Sequence, residues 1–106
     1  MVVHNLLNQK DFQDAQDVKD SVMVLDCFAT WCGPCKAIAP QVVKLSETYP
    51  NARFFKIDVD DVPTVAQELG IRAMPTFMIF KNGEKLDEVV GANKPALEAA
   101  IKKAVE

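Results

Sequence analysis

The sequence predicts an α/β fold: a central mixed five-stranded sheet flanked by four helices that cover both of its faces. Three observations lead to this prediction. The run Val22–Phe28 is apolar on both faces, as in a central strand of a sheet covered on both sides. Segments with the apolar spacing of helices alternate with strand-like runs. Finally, Asn82 and Gly83 form the dipeptide most typical of a tight hairpin between antiparallel strands.

The N-terminal third of the chain predicts a strand, a helix and a second strand. The first strand covers Val2–Leu7, whose ends are apolar. Asn8 is a residue type that caps helices, and the helix after it places three apolar residues inward, namely Phe12, Ala15 and Val18. The run Val22–Phe28 follows as the second strand.

A long helix is predicted from Cys35 onward. Its inward positions recur at helical spacing and are Ile38, Ala39, Val42, Val43 and Tyr49. Pro40 lies inside this pattern. Because proline removes a backbone hydrogen bond and crowds the preceding turn, we expect a kink there.

The next predicted elements are the strand Phe54–Val59 and a short helix. The helix is opened by the segment 60–63, which ends in Pro63, and it is closed by Gly70. The strands Thr76–Phe80 and Leu86–Val90 then flank the hairpin turn.

A last helix begins at Asn93 and Pro95. Its predicted inner face consists of Leu97, Ala100, Ile101 and Ala104.

Composition limits the possible functions. The chain has 106 residues, which predicts a single domain over 1–106, with 49% hydrophobic and 25% charged residues. The net charge is −3 and the basic residues are scattered. We therefore expect neither nucleic acid nor a membrane surface as a partner.

The beginning of the chain and the cysteine count bear on the compartment. Residues 1–5 lack the charged start and apolar core of a signal peptide, so we expect the protein to stay where it is made. Three cysteines, two of them only three positions apart, do not resemble the even framework of a secreted disulfide-linked domain. A cytoplasmic location is expected.

Cys32 and Cys35 carry the most specific chemical signal. At the start of a helix, this spacing brings the Cα atoms within the ~4.4–6.8 Å that a disulfide tolerates. The first cysteine faces the unpaired N–H groups and the positive end of the helix dipole, which favour thiolate over thiol. Cys32 is therefore the predicted nucleophile of a pair that opens and closes.

Half of a zinc site is the alternative interpretation of this pair. Structural zinc takes four nitrogen or sulfur ligands, and the chain offers only Cys27 and His4 besides the pair. Cys27 lies inside a predicted strand and resembles a buried, inert thiol, while nothing assigns His4 a role. No metal site is expected.

The segment 31–36, Trp-Cys-Gly-Pro-Cys-Lys, matches the active-site motif of the thioredoxin family without a change. The similarity extends over essentially the whole chain, through Asp26, Pro40, Lys56, the segment 74–76 and Gly91. In detail the chain resembles cytosolic eukaryotic thioredoxins, in particular fungal ones. The resemblance implies the thioredoxin fold.

The resemblance also implies an activity. Cys32 would attack a client disulfide to form a mixed disulfide, and Cys35 would resolve it, which describes a protein-disulfide reductase and dithiol electron carrier. Thioredoxin reductase, drawing on NADPH, and disulfide-containing client proteins are the implied partners of a monomer. Since no glycine-rich phosphate loop follows any strand, the chain itself is expected to need no cofactor.

Asp26 and Lys56 complete the predicted catalytic set. A carboxyl group inside the apolar run of the second strand should have a raised pKa, although a side chain turned to solvent is the alternative. The resemblance implies that Asp26 accepts the proton of Cys35. It suggests Lys56 as a partner of Asp26, while a lysine reaching solvent from the sheet remains equally open.

The resemblance further implies a client-binding platform around the sulfurs. Pro75 would be a cis-proline facing the cysteines, and the backbone of Met74 would bond an extended client segment. The platform comprises Trp31, Gly33, Pro34, Met74, Pro75, Gly91 and Ala92.

Two other functions use the same residues. A redox-independent binding module with this fold is disfavoured by the intact motif 31–36. An oxidase or isomerase of the secretory pathway is disfavoured by Gly33 and Pro34, which resemble the reducing members of the superfamily.

Overall fold

The chain alternates strands and helices in the predicted order. The protein is described by a computed structural model that covers residues 3–106, so Val2 lies outside the described part. Its elements are β1 (His4–Leu6), α1 (Gln9–Gln16), β2 (Val22–Phe28), α2 (Gly33–Thr48), β3 (Ala52–Asp58), α3 (Pro63–Leu69), β4 (Thr76–Lys81), β5 (Glu84–Val90) and α4 (Lys94–Val105). None of these helices is long and apolar enough to cross a membrane.

The five strands form one mixed sheet in the order β1-β3-β2-β4-β5. The first three neighbours run parallel, whereas β4 is antiparallel to both β2 and β5. The central strand β2 is buried along nearly its whole length. The prediction of a central strand without alternating polarity is therefore confirmed, because helices cover both faces of the sheet.

Each face of the sheet carries its own hydrophobic core. Side chains of β2 such as Val22 and Val24 pack against the inner faces of α2 and α4. Met23, Leu25 and Cys27 point to the opposite face, where they pack against α1 and α3. Successive residues of β2 thus enter different cores, as the alternation of side chains along a strand requires.

The predicted signals at the element ends are confirmed. The side chains of Asn8 and Asn93 accept hydrogen bonds from backbone N–H groups in the first turns of α1 and α4, at 2.8 and 3.1 Å. Gly70 ends α3 in the left-handed conformation with φ 69°. Asn82 and Gly83 also have positive φ, at 55° and 81°, and form the two-residue hairpin turn between β4 and β5.

Three predicted inward positions are wrong. Val18 is 43% exposed, because α1 ends at Gln16 and the helical spacing no longer applies. On α2, Ala39 is exposed and Val43 is 42% exposed. The buried stripe of α2 runs instead through Cys35, Ile38, Val42, Leu45 and Ser46, one helical position away from the two exposed residues.

Candidate active site

The candidate site begins at the connection between β2 and α2. Cys32 is the N-cap of α2, and its sulfur accepts a hydrogen bond from the backbone N–H of Cys35 at 3.1 Å. Pro34 lies in the first turn, where a missing N–H costs no helical hydrogen bond. The two cysteines are joined by a disulfide, with Cα atoms 5.3 Å apart. The predicted position of the pair at a helix start, within the distance that a disulfide tolerates, is confirmed.

The sulfurs are held in a small apolar cluster of their own. Cys32 is 4% and Cys35 6% exposed, and both pack with the buried Ala29. Phe28, Val59 and Met74 border this cluster from β2, from the residue after β3 and from the loop before β4. The pair is therefore shielded, while its position at a helix N-terminus favours negative charge on sulfur.

Asp26 and Lys56 are direct partners across β2 and β3 and so project from the same face of the sheet. Asp26 is 7% exposed, which contradicts the alternative of a solvent-facing acid. Burial raises the pKa of Asp26 to about 7, and the positive charge of Lys56 opposes part of that rise. Within the described residues, Oδ1 of Asp26 has no hydrogen-bond partner.

A cleft of about 370 Å³ joins Asp26, Cys35 and Lys56, although these residues come from three different elements. Its remaining wall is formed by Phe28, Ala29, Thr30, Lys36 and Ala39. Lys56 Nζ lies 5.8 Å from the ring centroid of Phe28, so its charge is near the cleft. The three predicted catalytic residues outside Cys32 therefore share one space.

The residues predicted to bind clients lie on both sides of the pair. Trp31 is 67% exposed, and Gly33 and Pro34 are also exposed at the start of α2. Met74 borders the sulfur cluster. These positions form an apolar rim around the disulfide.

The remaining part of the rim is a loop before β4. The Met74–Pro75 peptide bond is cis. The backbone N–H of Gly91 donates to the carbonyl of Pro75 at 2.8 Å, and the exposed Ala92 follows. The segment after β5 is thereby tied to the loop that faces the cysteines.

Sequence reasoning missed Asp60. Trp31 Nε1 donates a hydrogen bond to Asp60 Oδ2 at 2.9 Å, which fixes the exposed indole from the loop after β3. The backbone N–H of Asp60 in turn donates to Asp58 Oδ1 at 2.9 Å. The only signal in the sequence is the acidic start of segment 60–63, which by itself indicates the opening of the short helix.

The other cysteine and the histidine lie away from the pair. Cys27 is fully buried, and burial, together with the charges of Asp26 and Glu88, raises the pKa of its thiol far above the ordinary value. The ring of His4 on the edge strand β1 lies 5.9 Å from that of Phe55 on the neighbouring strand β3. Among residues 3–106, no cluster of histidine, cysteine and acidic side chains is arranged to hold a metal ion.

A cystine that caps a helix beside a cis-proline loop defines the class of this protein: it is built around a redox-active disulfide. Comparison with known proteins specifies the family. The thioredoxin family profile matches residues 3–103. Thioredoxin-2 of Pyricularia oryzae is 59% identical over 101 residues, which are 95% of this chain and 58% of that protein.

Two further comparisons cover most of both chains. Thioredoxin Asp f 29 of Aspergillus fumigatus is 55% identical over 94% of this chain and 93% of its own length. The crystal structure of Malassezia sympodialis thioredoxin superposes with a TM-score of 0.90 at 46% identity, over 96% of this chain and 90% of that one. The chain belongs to the thioredoxin family.

Proposed function

We propose that this protein is a protein-disulfide reductase that carries electron pairs between a reductase and client proteins. The observation that carries the proposal is the position of Cys32, whose sulfur caps α2 and accepts the N–H of Cys35. When the pair is reduced, this N–H and the helix dipole stabilise a Cys32 thiolate at neutral pH.

The reaction proceeds in two exchange steps. The Cys32 thiolate attacks one sulfur of a client disulfide, forms a mixed disulfide and releases the other client sulfur as a thiolate. Cys35, after losing its proton, attacks Cys32 and displaces the second client sulfur. The client gains two electrons and two protons, and the protein ends with the disulfide between its own cysteines.

Asp26 serves as the acceptor for the proton of Cys35 in the second step. Both residues line the same cleft, and the unpartnered Oδ1 of Asp26 is available to take up a proton. A carboxyl group with a pKa of about 7 both accepts and returns a proton near neutral pH. Lys56, in the same cleft, moderates that pKa by favouring the charged form.

The client segment binds beside the sulfurs in extended form. Within residues 3–106, the backbone of Met74 makes no hydrogen bond, so its N–H and carbonyl can pair with a client strand. That segment packs against an apolar rim formed by the exposed Trp31, Gly33, Pro34 and Ala92 and the half-buried Gly91, next to Pro75, which the structure buries. We place the protein in the cytosol as a monomer that is re-reduced by an NADPH-linked thioredoxin reductase.

Reduction of insulin disulfides tests the activity. With dithiothreitol as electron source, wild-type protein is expected to accelerate insulin precipitation, and the Cys32→Ser variant is expected to be inactive because it lacks the thiolate that attacks the client disulfide. The Cys27→Ser variant is the matched control and is expected to retain activity, since the buried thiol of Cys27 lies outside the pair. A folded wild-type protein without activity would instead identify a redox-independent binding module.

The partner and the compartment need separate measurements. NADPH oxidation by a purified thioredoxin reductase in the presence of this protein and insulin is expected, and none would argue against that electron source. Fractionation of the source cells is expected to place the protein with cytosolic markers, and recovery with mitochondria would contradict the proposed location.

A further inference from the structure

Thr76 lies directly after Pro75 as the first residue of β4. Its side chain is 2% exposed, and its hydroxyl donates a hydrogen bond to the carbonyl of Ala73 at 2.5 Å. The bond spans Met74 and Pro75 and closes a four-residue loop over them. A buried hydroxyl is costly unless it has a hydrogen-bond acceptor. The burial of Thr76 therefore depends on a loop conformation that brings the carbonyl of Ala73 to its hydroxyl.

The loop is held at two points. After the proline, the N–H of Gly91 donates to the carbonyl of Pro75 at 2.8 Å. Before it, Ala73 is exposed and, within residues 3–106, makes no hydrogen bond other than that with Thr76. Within residues 3–106, the Thr76 hydroxyl is therefore the one polar contact of Ala73, and the next one toward the N-terminus is the N–H of Ile71, which donates to the carbonyl of Ala66 at 3.0 Å.

The other end of this anchor is rigid. Thr76 pairs with Cys27 of β2 and with Val90 of β5, so its backbone lies inside the sheet with a neighbour on each side. The hydroxyl thus fixes Ala73, the exposed start of this loop, to the central part of the sheet. Met74, between the two anchors, borders the sulfur cluster, and its backbone polar groups have no partner in the described part of the chain.

We propose that Thr76 is a positioning residue for client binding: its hydroxyl orients the backbone of Met74 toward an extended client segment. This inference rests on the proposed function, because it assumes that a client strand pairs with Met74. Thr76 itself touches no reacting atom. Its effect should therefore appear with clients that extend along the loop and vanish with disulfides too small to reach it.

The test compares Thr76→Val, Thr76→Ser and wild type on two substrates. Valine keeps the shape of threonine without the hydroxyl, whereas serine keeps the hydroxyl. With insulin, we expect the valine variant to react roughly tenfold or more slowly, since misplacement of a binding group has effects of this order, and the serine variant to stay near wild type. With bis(2-hydroxyethyl) disulfide, all three are expected to react at the same rate.

Thr76→Ala serves as a second variant without a hydroxyl in case the valine variant does not fold. Equal rates on insulin for a folded valine or alanine variant and wild type would overturn the proposal. Equal slowing on both substrates would also overturn it, because the hydroxyl would then support the fold or the cysteines. An inactive wild type would refute the proposed function itself, whereas backbone NMR chemical shifts of Ala73 and Met74 that are unchanged by loss of the hydroxyl would refute the anchor independently of activity.

Discussion

At the scale of single residues, the chemistry of the cysteine thiols and of the Asp26 carboxyl group depends on the groups that surround each of them. Cys32 and Cys27 are both buried in the fold, but Cys32 caps a helix whereas Cys27 lies in a strand among apolar side chains. The helix N–H groups favour a thiolate at Cys32, and burial without such donors raises the pKa of Cys27. One residue type therefore supplies both a reactive and an inert thiol.

Asp26 gives a prediction about pH and stability. Its pKa is about 7 in the folded protein against 3.8 in the unfolded chain, so the folded state binds the proton more tightly. The free energy of unfolding should fall as pH rises from about 4 to about 7, by up to about 4 kcal/mol, and Asp26→Asn should abolish this fall. Urea unfolding of both proteins at pH 4.5 and pH 8 measures the difference.

The control for this measurement is Asp61→Asn, which removes an exposed carboxylate instead of a buried one. It should follow the wild-type pH dependence. If Asp26→Asn is no more stable than wild type at pH 8, the buried carboxylate is not destabilising, and the prediction from its raised pKa is wrong.

The Asp26→Asn variant should also slow release of the client from the mixed disulfide, since the proton acceptor is lost.

At the scale of elements, the ends of helices and strands carry the functional positions. The N-terminus of α2 presents Cys32, the loop after β3 fixes the indole of Trp31 through Asp60, and the start of β4 holds the proline loop. Strand β2 links these features, because it places Asp26 in the same cleft as Cys35 and pairs Cys27 with Thr76. Rigid elements thus position a site that is formed largely by their connections.

The end of α3 gives a prediction about backbone conformation. Gly70 has φ 69°, and a Cβ added there would meet no atom within 4 Å. The cost of Gly70→Ala should therefore come from the left-handed backbone alone, about 1–2 kcal/mol of the free energy of unfolding. Chemical denaturation of the variant measures this loss.

Gly70→Asn is the matched comparison, since asparagine tolerates the left-handed conformation better than alanine does. It should lie between glycine and alanine in stability. An alanine variant as stable as wild type would show that α3 can end in another conformation.

At the scale of the whole molecule, the sheet separates two hydrophobic cores. Strand β2 contributes side chains to both cores and to the site. The larger fully buried side chains include Phe12 and Met78 on one side and Phe77 and Leu97 on the other. The helix α2, which carries the cysteines, packs in the same core as α4. The stability of the site therefore depends on side chains far from the sulfurs in sequence.

Leu97 tests this dependence. It is fully buried on α4, and Leu97→Ala should lower the free energy of unfolding by about 2–5 kcal/mol, through lost burial and the cavity left behind. Leu86→Ala is the control, because Leu86 is 53% exposed and its truncation should change stability by no more than about 0.5 kcal/mol. Equal effects of the two substitutions would contradict the assignment of the core.

Local signals in the sequence predicted much of the fold. The caps at Asn8 and Asn93, the helix end at Gly70 and the turn at Asn82 are set by the conformations and hydrogen bonds of a few neighbouring residues, so their positions were correct. Predictions that depended on the length or rotation of a helix were weaker. Val18 and Val43 fit the apolar spacing, yet the end of α1 and the packing of α2 leave them exposed.

The sequence by itself determined the cysteine pair, its place at a helix start and the order of the elements, because these depend on neighbours within one turn of the chain. Only the tertiary structure decided which distant groups meet: Asp26 with Lys56 and Cys35, Trp31 with Asp60, and Gly91 with Pro75. The physical reason is that strand register and helix packing bring these groups together. A buried carboxyl acquires its raised pKa only when several elements jointly remove it from water.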